Sequence, residues 1–159
     1  MRNSTNKKSA KTFSYDELLF KASAYCAMAE HCCAEVSEKL RQWGAAEADA
    51  VRIVDYLVDQ NYISEARYCE AFVRDKFRFN HWGRIKIGMM LRAKGLPSEC
   101  IAVALAQISD DEYRQQLVDL LRTKDRTLRG DDEYERRNKL LRFAQSRGFE
   151  PDLILKTLE

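Results

Sequence analysis

The chain has 159 residues, 45% of them apolar or aromatic and 33% charged, with a formal net charge of +2 and a mean hydropathy of −0.52. That composition supports one small domain or a few modules that share contacts, and no apolar run approaches the ~18–20 residues of a membrane-spanning helix. Six glycines and two prolines are too few turn residues for an all-β chain.

In chain order, residues 1–12 form a basic segment without the apolar core of a secretory signal, expected to be a disordered tail. Ser14 is the expected N-cap of a helix through YDELLFKASAYCAMA. The segment Glu35–Leu57 then holds two amphipathic stretches around Gly44. Ser64 is the expected cap of a helix carrying Tyr68, Phe72 and Phe79 on its inward side. Lys86–Ile108 repeats the paired stretches around Gly95. Ser109 and Asp110 open another helix, and Asn138–Glu159 repeats the pair around Gly148. RGDD, Arg129–Asp132, reads as a loop.

The glycines are 51 and 53 residues apart. A helix commonly stops at a residue in the left-handed conformation, which glycine adopts without a Cβ clash. Lys94 and Arg147, just before their glycines, suit the negative end of a helix dipole. Pro97 and Pro151 then stand where a first helical turn tolerates a missing N–H. Leu40, Leu91 and Ala144 hold the same place four residues before each glycine. The pattern predicts an all-α fold of three tandem three-helix repeats: tail 1–12, then repeats 13–60, 61–108 and 109–159. Units of ~50 residues bury small cores, so they either stack as in a solenoid or hinge through short connections.

Five cysteines, Cys26, Cys32, Cys33, Cys69 and Cys100, are odd in number and irregular in spacing, which fits a reducing cytosol. Cys26, His31, Cys32 and Cys33 lack the CxxC pairs of a structural zinc site and read as small, half-buried hydrophobes. No nucleophile-and-base pair, HExxH pattern or Gly-rich phosphate loop is present. No catalytic residue, metal or cofactor is therefore expected, and the chain reads as a non-enzyme.

Charge is segregated. Glu30–Glu70 holds nine acidic and four basic residues; Arg74–Lys94 holds seven basic and one acidic; Arg114–Arg147 holds ten basic and six acidic. A near-neutral total can thus hide a basic face, which points to a polyanion or an acidic partner. Arg67, Arg74 and Arg78 fall within about 40° on a helix, about 120° from the aromatic side. On the next helix Ile87 and Leu91 form the apolar side, with Arg84 and Arg92 on another face and Gly88 between them. Two such ridges would track a phosphate backbone or meet an acidic protein groove. Trp43 and Trp82 read as packing residues at helix ends, and Met89 and Met90 as core filler.

LVDQNYISEARYCEAFVRDKF…GRIKIGMMLRAKGL, Leu57–Leu96, resembles the central repeat of the RecX family of bacterial recombination regulators. AEHCCAEVSEKLRQWG, Ala29–Gly44, is similar to that family's first repeat, and RNKLLRFAQSRGFEPDLILKTL, Arg137–Leu158, to its third. Departures are Ser64-Glu65 for a frequent Asp-Asp, Cys32 for serine, Ala144 for leucine, and Gln42-Trp43 for a Lys-Lys-like run.

The resemblance implies an elongated, curved, all-helical cytoplasmic monomer with no membrane association. It further implies binding to the RecA filament on single-stranded DNA, as a negative regulator of assembly, ATPase, strand exchange and coprotease activity. Homologous recombination, DNA repair and the SOS response would be its setting. Direct DNA contact is left open. Arg67, Arg74, Arg84 and Lys94 match the family motif; Arg78, Lys86 and Arg92 join them by geometry, giving seven partner- or DNA-binding candidates. The competing readings are a RecA-independent nucleic-acid-binding helical module and a helical scaffold for an unrelated acidic partner.

Overall fold

The first helix begins where the sequence places it. In the computed structural model, which describes residues 11–130 and 132–159, the Ser14 hydroxyl accepts from Glu17 N–H at 3.2 Å. The Glu17 carboxylate accepts from Ser14 N–H at 2.7 Å. This reciprocal box satisfies two donors that the first turn would leave orphaned. Nine helices form among the described residues, and no strand. The expected tail falls mostly on residues 1–10, outside the described residues. The chain divides into two compact units between Ser64 and Glu65.

The first unit holds α1 (Tyr15–Met28), α2 (Cys33–Gln42) and α3 (Glu47–Asp59). Leu18, Ala22 and Cys26 recur every fourth residue on α1 and meet Val36, Leu40, Ile53 and Leu57 in one apolar cluster. Each fully buried Leu, Ile or Val contributes about 1.5–3 kcal/mol. Cys26 and Cys32 are buried and Cys33 is half-buried, all as free thiols. Burial first, then Glu30 and Cys33, push the Cys26 thiol above its ordinary range, so it packs as a neutral side chain. Between α1 and α2, His31 stacks on Tyr25 with centroids 3.8 Å apart.

The second unit holds α4 (Glu65–Arg78), α5 (Arg84–Ala93), α6 (Ser98–Ala106), α7 (Asp110–Asp125), α8 (Glu133–Ser146) and α9 (Pro151–Thr157). Ser109 caps α7 by accepting from Glu112 N–H at 3.2 Å, and Asp132 caps α8 through Glu135 N–H at 2.8 Å. Pro151 opens α9 as expected, whereas Pro97 precedes α6 as its extended N-cap.

The three glycine turns share one pattern. Gly44, Gly95 and Gly148 have φ of +85°, +80° and +91°. The residue after each glycine donates to the carbonyl of Leu40, Leu91 or Ala144, at 3.0, 3.2 and 3.2 Å. This is the six-to-one closure of a Schellman turn. The three aligned acceptors are each fully buried, so this position both closes its helix and fills its core.

Two further helices are followed by a left-handed residue that is not glycine. Asn61 and His81 take φ of 62° and 56°, a conformation asparagine tolerates and histidine adopts at some cost. The His81 turn corrects the aromatic face expected on α4. It ends the helix at Arg78, and Phe79 lies beyond, 77% exposed, while Phe77 is buried with Tyr68, Cys69 and Val73. Met89 and Met90 are corrected as well: they are 59% and 40% exposed, because Ile87, Gly88 and Leu91 fill the inward arc of α5.

Within the second unit, α5 is anchored to the turn between α8 and α9. Gly83 N–H donates to Arg147 O at 2.7 Å, and Ile85 N–H to Gly148 O at 3.1 Å. Arg84 N–H donates to the Tyr113 hydroxyl at 2.9 Å. The orphan donors of a helix N-terminus are thus met by another repeat. A Cβ on Gly83 would sit 2.3 Å from Gly148 O, and one on Gly148 2.3 Å from Lys86 Cβ. Phe77, Tyr113 and Phe149 stack alongside, with centroids 6.0 and 5.0 Å apart, which adds about 0.5–1.5 kcal/mol per pair beyond area burial.

Candidate functional site

The seven basic candidates divide into an exposed set and a bracing set. On α4, Arg67, Arg74 and Arg78 share one face, about 80–160° around the helix from buried Phe77, Val73 and Cys69. Arg74 and Arg78 are exposed and Arg67 is half-buried. Arg74 Nε reaches only the adjacent Asp75, at 3.3 Å and with both side chains more than half exposed, a contact of little energetic weight. Beside this ridge lies a cleft of about 160 Å³. Arg74, Arg78, Glu70 and Glu112 line it over an apolar floor of Val73 and Phe77.

Arg84 is not on an outward ridge, which corrects the second basic face read from α5. It stands at the first position of the helix, about 20° from buried Leu91 by helical count, and so turns inward. Its guanidinium donates to Ile108 O at 2.9 Å and to Asp110 at 3.1 Å, and lies 4.1 Å from the Tyr113 ring centroid. Lys86 is half-buried, with Nζ 3.4 Å from Ser146 O and 4.5 Å from the Trp82 ring. Arg147 lies over Phe143 and reaches Asn80 O at 3.4 Å. These cations fasten helices together. Lys94 caps α5, its N–H shared between Met90 O and Leu91 O. Arg92 is exposed, and its guanidinium, rather than a neighbouring backbone, is what a Cβ on Gly88 would meet, at 3.2 Å.

Tyr113 and Glu150 were not singled out by the sequence, yet they centre the bracing network. The Tyr113 hydroxyl donates to Glu150 at 2.7 Å while accepting from Arg84 N–H. Burial, reinforced by Glu150, pushes the phenol well above its ordinary value. Trp82 packs half-buried between Lys76 and Lys86, and Trp43 packs on the first core, both as helix-end residues. Among the described residues no group of three His, Cys, Asp or Glu side chains could hold a metal ion. No described helix is long and apolar enough to cross a membrane. The exposed arginines can bind phosphates or carboxylates in the forked geometry of the guanidinium.

Comparison with known proteins places these features in one family. Residues 64–105 match the model described as "RecX, second three-helix domain", and residues 110–158 match "RecX, third three-helix domain". The regulatory protein RecX of Pseudomonas putida (strain GB-1) is 33% identical over 129 residues, covering 81% of each chain. That of Clostridium botulinum (strain Eklund 17B / Type B) is 31% identical over 122 residues; the match covers 76% of this chain and 57% of that one. The crystal structure of RecX from Lactobacillus salivarius has a TM-score of 0.79 at 23% identity, covering 91% of this chain and 94% of that one, a likeness of fold. With tandem three-helix domains, matched family models and relatives of this similarity, the chain belongs to the RecX family of regulatory proteins.

Proposed function

We propose that this chain is a non-catalytic cytoplasmic regulator that binds the RecA filament on single-stranded DNA and lowers its assembly, ATPase, strand-exchange and coprotease activities. Family membership supplies the class of function. The observation that carries the surface is the α4 ridge: Arg74 and Arg78 stand exposed on a helix whose opposite face is buried, while Arg84 and Lys86 hold the unit together. Such a protein acts by differential binding: a contact that favours a free or distorted recombinase subunit over the assembled one shifts the filament equilibrium. The chain acts as a monomer and needs no cofactor for this.

The test is ATP hydrolysis by the cognate recombinase on single-stranded DNA, titrated with this protein at fixed salt. Wild type lowers turnover at substoichiometric amounts. The triple reversal R74E/R78E/R92E weakens the effect by roughly tenfold or more, as expected when close charge pairs are lost. R84E is unsuitable as a surface probe because Arg84 is a brace. No inhibition and no filament binding by wild type would overturn the reading. Binding to DNA alone, falling steeply with salt, would then leave a RecA-independent nucleic-acid-binding module.

A further inference from the structure

We propose that the outward face of α5 is a second docking surface, whose occupant is an amphipathic helix of a partner protein, apolar on one side and acidic beside it. By helical count Ile85, Gly88, Met89 and Arg92 fall within about 100° of one another, at the i, i+3, i+4, i+7 spacing of a helix-packing seam. Ile85 is 42% exposed and Met89 59%, and Arg92 is exposed. Gly88 stands at the edge of this seam, about 60° from Ile85 and from buried Leu91. Glycine is a poor residue for a helix interior, and the fold does not require it here. Its φ is not left-handed, and the three atoms that a Cβ would come nearest all belong to the Arg92 guanidinium, at 3.2 to 3.7 Å. Gly83 and Gly148 differ, because atoms of another repeat would lie 2.3 Å from a Cβ on either. A notch covered by the flexible end of an exposed arginine opens when that arginine swings to a carboxylate, and then admits close approach of a second helix.

Charge selects the occupant. From Phe79 to Pro97 the chain holds no carboxylate and four cations, Arg84, Lys86, Arg92 and Lys94. The helices packed against α5 are α4 and α6, and their carboxylates are already placed. Glu70 accepts from Gln107 at 3.2 Å and Asp75 from Arg74 at 3.3 Å. Glu65 and Glu99 stand in the first turns of α4 and α6, where the helix dipole offsets them. At the start of α5, Asp110 is bound by Arg84 and Glu150 by Tyr113. Arg92 instead lies over Gly88. A basic helix would be repelled here, and one with carboxylates beside its apolar stripe would be attracted. Ile85 and Met89 offer a nucleic acid neither a phosphate contact nor a ring for stacking. The seam and the Arg74–Arg78 ridge lie on different helices, so its occupancy does not depend on the recombinase reading.

The experiment uses the full chain and a fluorescent synthetic Leu/Glu amphipathic helix as probe, with a Leu/Lys helix as the opposite-charge control. The expected result is saturable binding of the Leu/Glu helix and none of the Leu/Lys helix. Met89→Ser and Arg92→Glu each weaken binding roughly tenfold or more. Gly88→Ala weakens it roughly fivefold or more, because the added methyl overfills the contact. In the free protein the same variant raises the urea midpoint, since alanine is the better helix former, so its loss of binding is not a loss of folding. Met90→Ser changes a side chain that is 40% exposed but about 150° around α5 from the seam, and leaves affinity unchanged. Circular dichroism confirms that each variant folds. Equal binding of both helices, or wild-type affinity in M89S and G88A, overturns the proposal. So does displacement of the probe by an equal concentration of a single-stranded oligonucleotide, which would assign the face to nucleic acid. Self-association of the wild type that M89S abolishes overturns it too, in favour of a second copy. Recombinase inhibition is measured separately: if it fails while the Leu/Glu helix binds, the regulatory reading falls and the seam stands.

Discussion

The two units use their cations in opposite ways. In the first, nine acidic residues stand against eight basic ones across Met1–Ser64, and each of the five cations among its described residues lies against a ring or a carboxylate. In the second, nineteen basic residues face sixteen acidic ones. Some brace the repeats together, while Arg74, Arg78 and Arg92 stand exposed. A net charge of +2 therefore describes neither surface. Sign segregation along a chain carries information that the total conceals, and only the fold separates cations that bind outward from cations that bind inward.

The glycine turns sharpen the same contrast and give the largest expected effect. Gly44 and Gly148 share a conformation but not a setting. A Cβ on Gly44 would meet nothing within 4 Å, whereas one on Gly148 would lie 2.3 Å from Lys86 Cβ and 2.6 Å from Lys86 N. Gly44→Ala then costs only the left-handed strain, about 1–2 kcal/mol. Gly148→Ala adds displacement of the α5 N-terminus, for a total of about 3 kcal/mol or more. Urea unfolding monitored by amide exchange in each unit checks this. Equal losses for the two variants would show that the α5 anchor carries no stability.

Tyr113 gives the next effect. Tyr113→Phe leaves Arg84 N–H and the Glu150 carboxylate without their partner, for a loss of about 1–3 kcal/mol. Because burial raises the phenol above its ordinary 10.0, the folded state holds that proton more tightly than the unfolded chain does. The resulting stability is present below about pH 10 and is lost as pH rises beyond it. Alkaline titration of the folded protein should therefore melt the second unit first, and the Y113F variant should lose this alkaline step. Simultaneous loss of both units at high pH would contradict the assignment.

What the sequence revealed divides along the same line. Ser14 and Ser109 were legible as caps because their partners lie three residues away. The three turns were legible because one glycine recurs at nearly constant spacing. The Arg67–Arg74–Arg78 ridge followed from helical periodicity within one helix. Phe79 was misplaced because two residues rotate a helical position by about 200°, and the end of α4 is set by a left-handed histidine rather than a glycine. Arg84 was misread because its partners, Ile108, Asp110 and Tyr113, lie 24 to 29 residues downstream. Periodicity reports the face of a helix and is silent on what another repeat brings against it.

The smallest expected effect separates ion pairs that span a loop from those within a helix. Arg136 holds both carboxylate oxygens of Asp125, joining the last residue of α7 to the first turn of α8. The Arg136 hydrogen bonds hold the Asp125 carboxyl below its ordinary 3.8. The contribution is thus present above that pH and is lost as pH falls through the lowered value. Both groups are close to solvent, so salt screens the pair and global stability should barely move in Asp125→Asn. What should change is local: amide exchange speeds up across Arg126–Gly130 and the first turn of α8. In the first unit, Arg41 pairs with Glu38 inside α2, three residues apart and with no loop to close. Glu38→Gln should leave exchange in the neighbouring turns unaltered, because that pair restrains no segment the helix does not already restrain.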